Sequence, residues 1–140
     1  MEDKLIEFAV KALIFNGEKF LAVHKSAIQS QRFELPGGRM LFGETAEDTV
    51  KREVMEETGL RIIPLRLVDT WNYVMETQQI TGVIYLCIAE AGEGLDKIVL
   101  SDEHDRYQWL NTDENSLSIM NRLFRPQMLK WDWHALIGMT

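Results

Sequence analysis

The chain has 140 residues, which suits one domain around a single core, and we expect residues 1–140 to form it. A formal net charge of −7 argues against binding long nucleic acid, which depends on a basic surface. The longest apolar run, 83–89, is too short to cross a bilayer, and the N-terminal residues lack a signal-peptide pattern. The single cysteine, Cys87, suits a reducing compartment, so we expect a cytoplasmic protein without membrane contact.

Strands are predicted for the first part of the chain. Asn16-Gly17 is a strong hairpin signal that joins a predicted strand over 8–15 to a partner over 19–24. Residues 26–32 are predicted to form a polar loop. Leu35-Pro36-Gly37-Gly38 is predicted as a turn cluster that cannot continue a strand.

One long helix is predicted next. Thr45 can cap its start, Asp48 places an acid near the positive end of the dipole, and Gly59 is a natural stop after Thr58. The remaining predicted elements are β-rich segments over 62–73 and 80–89, a loop over 91–97, a strand over 107–110, a helix capped by Thr112, and a last helical segment from Pro126 through Trp133. Mixed strands with helices on both sides predict an α/β fold in α/β/α layers.

Three carboxylates, Glu53, Glu56 and Glu57, crowd one turn of the predicted helix. Like charges at these spacings cost about 0.2–0.5 kcal/mol per pair, and the turn lies at the negative end of the dipole. At about 100° per residue, Glu57 falls about 20° and Glu53 about 60° from the apolar stripe, while Glu56 falls about 120° away. Clustered carboxylates that face the protein body either hold protons or bind a hard ion. The alternative is a solvated acidic surface.

The spacing around this cluster resembles the Nudix box. Gly38, five residues, Glu44, seven residues, and then Arg52-Glu53-Val54, Met55, Glu56-Glu57, Thr58 and Gly59-Leu60 agree with the box in every specified position. The resemblance implies a Nudix α/β/α sandwich with a mixed central sheet. It also implies a hydrolase that uses Mg²⁺ or Mn²⁺.

The resemblance further implies roles for individual residues. Glu56 and Glu57 are the expected metal ligands, Glu53 is either a third ligand or the catalytic base, and the backbone carbonyl of Gly38 is an additional ligand. Arg52 is expected to orient the acidic cluster and to pair with Glu44, a structural support. The glycine loop that includes Gly37 is expected to bring backbone close to the metal and phosphates. Whether Glu53 acts as ligand or base stays open.

A second acidic segment, 101–105, precedes the predicted strand at 107–110. It resembles the Glu-His pair of many Nudix hydrolases, which implies that Glu103 supplies a metal ligand or a base. For His104 a hydrogen-bonding role and a catalytic role are equally open. A solvated turn is the simpler interpretation.

Substrate-binding residues are harder to predict. Aromatic residues in a Nudix cleft commonly stack on a nucleobase, and Phe33, Trp71, Tyr73 and Tyr85 are candidates; core packing is the alternative for each. Arg32 is a candidate phosphate contact or a plain surface arginine. Trp131 and Trp133, with Met128, favour a helix-packing patch or a homodimer contact.

The expected function is metal-dependent hydrolysis of a nucleoside diphosphate linked to another group. A nucleoside triphosphate, cleaved to the monophosphate and pyrophosphate, is the leading substrate, because Leu35-Pro36-Gly37-Gly38 resembles MutT-like pyrophosphatases. Hydrolysis of a dinucleoside polyphosphate or of ADP-ribose is the alternative, and the segment from Leu100 to Leu110 resembles dinucleoside tetraphosphate hydrolases. A third alternative is a Nudix module that binds a nucleotide without turnover.

Overall fold

The computed structural model describes residues 3–26 and 32–140. Within these ranges the strands are β1 (Leu5–Asn16), β2 (Lys19–Lys25), β3 (Gly37–Arg39), β4 (Ile62–Val74), β5 (Gln78–Ala89) and β6 (His104–Leu110). The helices are α1 (Ala46–Thr58), α2 (Glu114–Leu117), α3 (Arg125–Met128) and α4 (Trp133–Gly138). No helix of the described residues is long and apolar enough to cross a membrane.

The described strands form one six-stranded mixed sheet in the order β4-β5-β1-β2-β6, and β3 pairs with β1 outside this order. β1 and β5 run parallel, whereas β1 pairs antiparallel with both β2 and β3. The turn at Asn16-Gly17 joins β1 to β2 as predicted, and Gly17 has a φ of 63°. β1 thus lies at the centre of the sheet and beside the glycine strand β3.

Alternate residues of β1 feed two separate cores. Val10, Ala12 and Ile14 pack in the cluster that includes Val50 and Val54 of α1. The intervening residues Ala9, Leu13 and Phe15 pack in a second cluster with residues of α2, α3 and α4, namely Leu117, Met128 and Leu136. The period of two along a strand produces this division. Helices therefore cover both faces of the sheet, and the predicted α/β/α layering is confirmed.

Helix α1 begins and ends where its sequence signals predict. The Thr45 hydroxyl accepts a hydrogen bond from the Asp48 backbone N–H, and the Asp48 carboxylate accepts one from the Thr45 N–H. Gly59 follows Thr58 in the left-handed conformation, with a φ of 74°. Because these caps fix both ends, the register of the three carboxylates on the helix is fixed as well.

The turn prediction for residues 35–38 is wrong at Gly37 and Gly38, which belong to strand β3. Gly37 pairs with Lys11 and Gly38 with Val10 of β1. A Cβ on Gly37 would lie 2.1 Å from the Val10 carbonyl oxygen, so only glycine permits this approach. Pairing across the chain, rather than local turn preference, decides the structure here.

Smaller differences concern the second half of the chain. Strand β6 begins at His104, earlier than predicted, because it extends along β2. Asp113, not Thr112, caps α2. The predicted helical segment from Pro126 through Trp133 is instead two short helices, α3 and α4, and Asp132 caps the second. Most of the predicted loop at 26–32 lies outside the described residues.

Candidate active site

A cavity of about 720 Å³ opens between helix α1, strand β3 and the loop before β6. One wall is acidic and carries the residues of the box, while the opposite wall is formed by β1, β4 and β5. Its lining residues are Ala9, Lys11, Lys25, Ser26, Gly37, Gly38, Arg39, Glu53, Glu56, Glu57, Trp71, Ile80, Ser101, Asp102 and Glu103. The predicted metal ligands thus all border one cavity.

The burial of the three helix carboxylates follows the predicted wheel. Glu57 is buried, Glu53 is half-buried and Glu56 is exposed. Glu53 lies directly against Gly38, where an added Cβ would come within 2.4 Å of the Glu53 carboxylate. The glycine therefore leaves room for a carboxylate beside the backbone, which a larger residue would fill.

Glu57 is the most deeply buried carboxylate of the acidic wall. Its Oε2 accepts a hydrogen bond of 2.7 Å from the Gly37 N–H. Burial raises the pKa of Glu57 to about 7, and Lys11, the Gly37 N–H and His104 offset only part of that effect. A neighbouring cation would favour the charged form of this group.

Arg52 holds the acidic wall together. Its Nε donates to Glu44 Oε2 at 2.7 Å and its Nη2 to Glu44 Oε1 at 2.9 Å, a bidentate pair. Its Nη1 donates to Glu53 at 2.9 Å and to Glu56 at 3.3 Å. Hydrogen bonding to Arg52 and to the Leu41 N–H lowers the pKa of Glu44 to about 2. Arg52 thus links the support glutamate to two of the predicted ligands.

The donors of the acidic wall fit a hard divalent cation in type, since they are carboxylate oxygens beside exposed backbone. Within residues 3–26 and 32–140, no three His, Cys, Asp or Glu side chains are already spaced to hold a metal ion. Hydrogen bonds determine where the three helix carboxylates lie: Arg52 donates to Glu53 and Glu56, and the Gly37 N–H donates to Glu57. A metal ion at this wall competes with those hydrogen bonds.

The loop before β6 carries Glu103, which also lines the cavity. The Ser101 N–H donates to the Glu57 carbonyl at 3.1 Å, and the Ser26 N–H donates to the Glu103 carbonyl at 2.8 Å. The loop is therefore anchored to the end of α1 and to β2, with Glu103 exposed. His104 is buried instead, and its Nε2 lies 3.9 Å from Glu57 and 3.6 Å from Glu34.

A buried ion pair lies below the cavity, and no role was predicted for either of its residues. Lys11 Nζ is 3.7 Å from Glu34 Oε1, and the two side chains are only 7% and 11% exposed. Burial pushes the pKa of Glu34 upward, but Lys11, His104 and Lys25 outweigh it and hold the pKa at about 2. The sequence contains a signal that Lys11 is unusual. It is a charged residue at an inward-facing strand position, between the buried apolar residues Ala9 and Leu13.

Besides Trp71, five residues are predicted to contact the substrate, and four of these five do not line this cavity. Phe33 is buried in the core beside His24 and Arg106. Arg32 donates a hydrogen bond to the Ser118 carbonyl. The fifth, Gly37, does line the cavity.

The two tyrosines also lie elsewhere. Tyr73 is 42% exposed near the end of β4. Tyr85 packs on the core cluster beneath α1, on the opposite face of the sheet from Ala9. Trp71, another candidate, lines the cavity, but it is only 5% exposed and its indole N–H donates to the Ala9 carbonyl. It forms a wall and does not offer an open stacking face.

The tryptophans near the C-terminus pack within the chain. The Trp133 ring stacks on Phe20 at 5.4 Å, and Trp131 lies 5.3 Å from Trp133. The Trp131 indole N–H donates to Asp69 at 2.8 Å. The helix-packing alternative is confirmed for this patch, while the homodimer stays a prediction.

A family model described as the NUDIX domain matches residues 6–132, which include the whole cavity. The chain belongs to the Nudix family. Its α/β fold agrees with that assignment: the crystal structure of a MutT protein from Methanosarcina mazei Go1 superposes with a TM-score of 0.79 at 24% identity, covering 96% of this chain and 99% of the other.

The curated relatives that match this chain carry different names, and two of the names print a substrate. A MutT-like protein from Streptomyces ambofaciens is 34% identical over 70% of this chain and 58% of its own length. An asymmetrical bis(5'-nucleosyl)-tetraphosphatase from Mus musculus is 34% identical over 56% of this chain and 55% of its own. An 8-oxo-dGTP diphosphatase from Haemophilus influenzae is 34% identical over 46% of this chain and 47% of its own. The matches thus span about half the length of these relatives.

Proposed function

We propose that this Nudix protein is a Mg²⁺-dependent hydrolase that cleaves a nucleoside triphosphate to the monophosphate and pyrophosphate. The observation that supports it best is the acidic wall, where Glu53, Glu56 and Glu57 meet the glycine strand at one cavity. A relative whose name prints a deoxynucleoside triphosphate as substrate supports the substrate class. The retained carboxylates disfavour a binding module without turnover.

In this proposal Glu56 and Glu57 bind the metal, with Glu53 as a further ligand or as the base that positions water. Gly38 leaves room for the Glu53 carboxylate beside the backbone and contributes its own carbonyl as a further ligand. When bound, the divalent ion neutralises phosphate charge and lowers the pKa of water. Glu103, from the loop before β6, adds a further carboxylate that lines the cavity.

Arg52 acts as a positioning residue. Its guanidinium is planar and rigid, so the bidentate pair with Glu44 fixes the direction in which its Nη1 points. That nitrogen then sets where Glu53 and Glu56 lie relative to the cavity. Glu44 supports the site through Arg52.

The experiment that tests the proposal incubates the protein with Mg²⁺ or Mn²⁺ and a panel of nucleoside triphosphates, dinucleoside polyphosphates and ADP-ribose, and separates the products by chromatography. We expect the monophosphate and pyrophosphate from a triphosphate, with no product in the presence of a chelator. Cleavage of no compound in the panel would contradict the proposal and favour the binding module.

A matched pair of variants separates the site from nonspecific charge effects. Glu56→Gln removes one proposed ligand at an exposed position of α1, and Glu47→Gln removes an equally exposed carboxylate of the same helix that does not line the cavity. We expect only Glu56→Gln to slow hydrolysis. Equal activity of both variants would remove Glu56 from the ligand set.

Hydrolysis of a dinucleoside polyphosphate is the second candidate. The relative named as an asymmetrical tetraphosphatase favours it, as does the resemblance of the segment from Leu100 to Leu110. The same panel decides between the two, because this activity would release a nucleoside triphosphate from a dinucleoside tetraphosphate.

A further inference from the structure

Lys11 is the one lysine of the described residues that is buried and also lines the cavity. Its side chain is 7% exposed, and its Nζ lies 5.5 Å from the Trp71 ring centroid and 6.0 Å from that of Phe124. An ammonium group in such surroundings has lost most of its water and needs acceptors in its place. Two aromatic rings and one carboxylate hold it in a fixed position.

The acceptors that the described residues supply to Lys11 are incomplete. Glu34 Oε1 is 3.7 Å from Nζ, which is an ion pair but too long for a hydrogen bond. That same oxygen is itself buried without a hydrogen-bond partner in the described structure. An ammonium group has three donors, so Lys11 can donate to a bound molecule without giving up its ion pair.

The surroundings of Lys11 favour a neutral acceptor over a phosphate. Glu34 already compensates its charge, whereas Lys25 and Arg39, at 45% and 54% exposure, are the solvated cations that border the same cavity. Apolar side chains of Ala9, Trp71 and Ile80 line the cavity on the Lys11 side of the sheet. A flat ring with an acceptor on its edge matches such a wall better than a multiply charged group does.

We propose that Lys11 determines base specificity by donating a hydrogen bond to a carbonyl oxygen of the substrate's nucleobase. An exocyclic amine at the same ring position would present a donor to the ammonium and would be disfavoured. The site therefore prefers a base with a carbonyl at purine C6 or pyrimidine C4, as in guanine, hypoxanthine or uracil, over adenine or cytosine, which carry an amine at that position. Glu34 is a positioning residue that holds the ammonium in place. This inference rests on the proposed function only for the identity of the ligand as a nucleotide.

The test compares nucleotides that differ at one ring position. Inosine triphosphate and purine riboside triphosphate form one pair, and uridine triphosphate and its 4-deoxy analogue form the other. For the preferred ring size we expect kcat/KM of the carbonyl member to be at least about tenfold higher, because a site built to hydrogen-bond a group rejects the analogue that lacks it. Lys11→Met should bring that ratio close to one.

Lys25→Met is the matched control. Lys25 also borders the cavity and lies 3.9 Å from Glu34, but it is far more exposed than Lys11. This variant should change both members of a pair alike and leave their ratio intact. If Lys11→Met does not fold because Glu34 loses its partner, the double variant Lys11→Met with Glu34→Gln removes both charges and is expected to show the same loss of selectivity.

Equilibrium binding of the same nucleotides, measured with Ca²⁺ in place of Mg²⁺, separates this inference from the proposed function. Selective binding without turnover would support Lys11 as the base-reading residue while the proposed hydrolysis fails. Turnover with a ratio near one for both wild-type pairs would overturn the inference and leave the hydrolysis standing. Equal decreases in kcat/KM for both members of a pair in Lys11→Met would also overturn the inference. Absence of any nucleotide binding to the wild-type protein would overturn it as well.

Discussion

Two buried glutamates, Glu57 at the cavity and Glu34 beside Lys11, have pKa values that their surroundings move in opposite directions. Glu34 and Glu57 are 8% and 4% exposed, so burial alone would raise both pKa values. Near Glu34, Lys11 and Lys25 lie within 4 Å and the pKa falls to about 2. Near Glu57 the groups that favour the charged form are too weak to offset burial, and the pKa rises to about 7.

The comparison shows for which of the two carboxylates the protein itself supplies a counter-ion. Glu34 has its counter-ion built into strand β1, and its charge is stable without any ligand. For Glu57, the charge of Lys11, the Gly37 N–H and His104 favour the ionised form but do not offset burial, and the neighbouring carboxylate of Glu53 disfavours it. A divalent cation at the acidic wall would supply the positive charge that Glu57 lacks.

The largest expected effect is that of Glu57→Gln on activity. If Glu57 is a metal ligand, the substitution should lower kcat/KM at least about 100-fold, because metal catalysis contributes several kcal/mol. The glutamine oxygen can still accept the Gly37 N–H, so the fold should persist. Steady-state kinetics beside Glu47→Gln, with circular dichroism as a folding control, measures the effect. If Glu57→Gln kept the kcat/KM of the wild type, hydrolysis would not depend on a cation bound to this carboxylate.

The same substitution at Glu34 should act mainly on stability. Glu34→Gln leaves Lys11 as a buried charge without its counter-ion and should lower the free energy of unfolding by about 3–5 kcal/mol. Glu57→Gln, in metal-free protein at pH 7, should be neutral or stabilising. Urea unfolding of both variants decides the matter, and equal destabilisation would erase the distinction between the two glutamates.

Stability of the metal-free protein should depend on pH through both groups, with opposite signs. Because the folded pKa of Glu57 is raised from 4.5 to about 7, its contribution is most favourable below pH 4.5 and is lost as pH rises through 7, by up to about 3 kcal/mol. The folded pKa of Glu34 is lowered to about 2, so its contribution is present above pH 4.5 and is lost as pH falls toward 2.

Urea unfolding in a chelator between pH 3 and 8 measures this dependence. Glu57→Gln should flatten the curve on the upper side of pH 4.5, and Glu34→Gln should flatten it on the lower side. Curves that keep the wild-type shape in both variants would contradict the assigned origins of the two shifts.

Arg52→Lys should have a smaller effect, of about tenfold on kcat/KM. Lysine keeps the charge but cannot form the bidentate pair with Glu44 while donating to Glu53. The thermal transition should shift little, since Arg52 is partly exposed and such pairs contribute about 0–1 kcal/mol. Kinetics and calorimetry on this variant test it; a large stability loss with unchanged activity would make Arg52 a structural residue only.

The smallest effects are expected at Tyr73 and Tyr85. Neither side chain lines the cavity, so Tyr73→Phe and Tyr85→Phe should change the KM for a nucleotide less than about twofold. A larger increase in KM for either variant would place the base elsewhere than beside Lys11.

Local periodicity made much of the acidic wall predictable. The 3.6-residue repeat and the caps at Thr45 and Gly59 determine which carboxylates of α1 face inward, and both are properties of neighbouring residues. The opposite wall depends on pairing between distant strands. The approach of Gly37 to β1 and the burial of Lys11 beside Glu34 follow from that pairing, which one sequence does not specify.

Aromatic residues were the hardest to assign. Phe33 in the core and Trp71 at the cavity are both buried aromatic residues, and only their positions in the fold separate them. A charged residue at an inward strand position, such as Lys11, is the more informative signal, because burial of a charge requires a partner or a ligand.

The claim that a divalent cation is the counter-ion of Glu57 is tested most directly by calorimetric titration of Mn²⁺ into wild-type protein and into Glu57→Gln. Glu47→Gln is the charge-matched control. We expect wild type and Glu47→Gln to bind Mn²⁺ with the same affinity. We expect Glu57→Gln to bind it at least about tenfold more weakly while remaining folded. Equal affinity in all three proteins, or no binding to wild type, would contradict the claim.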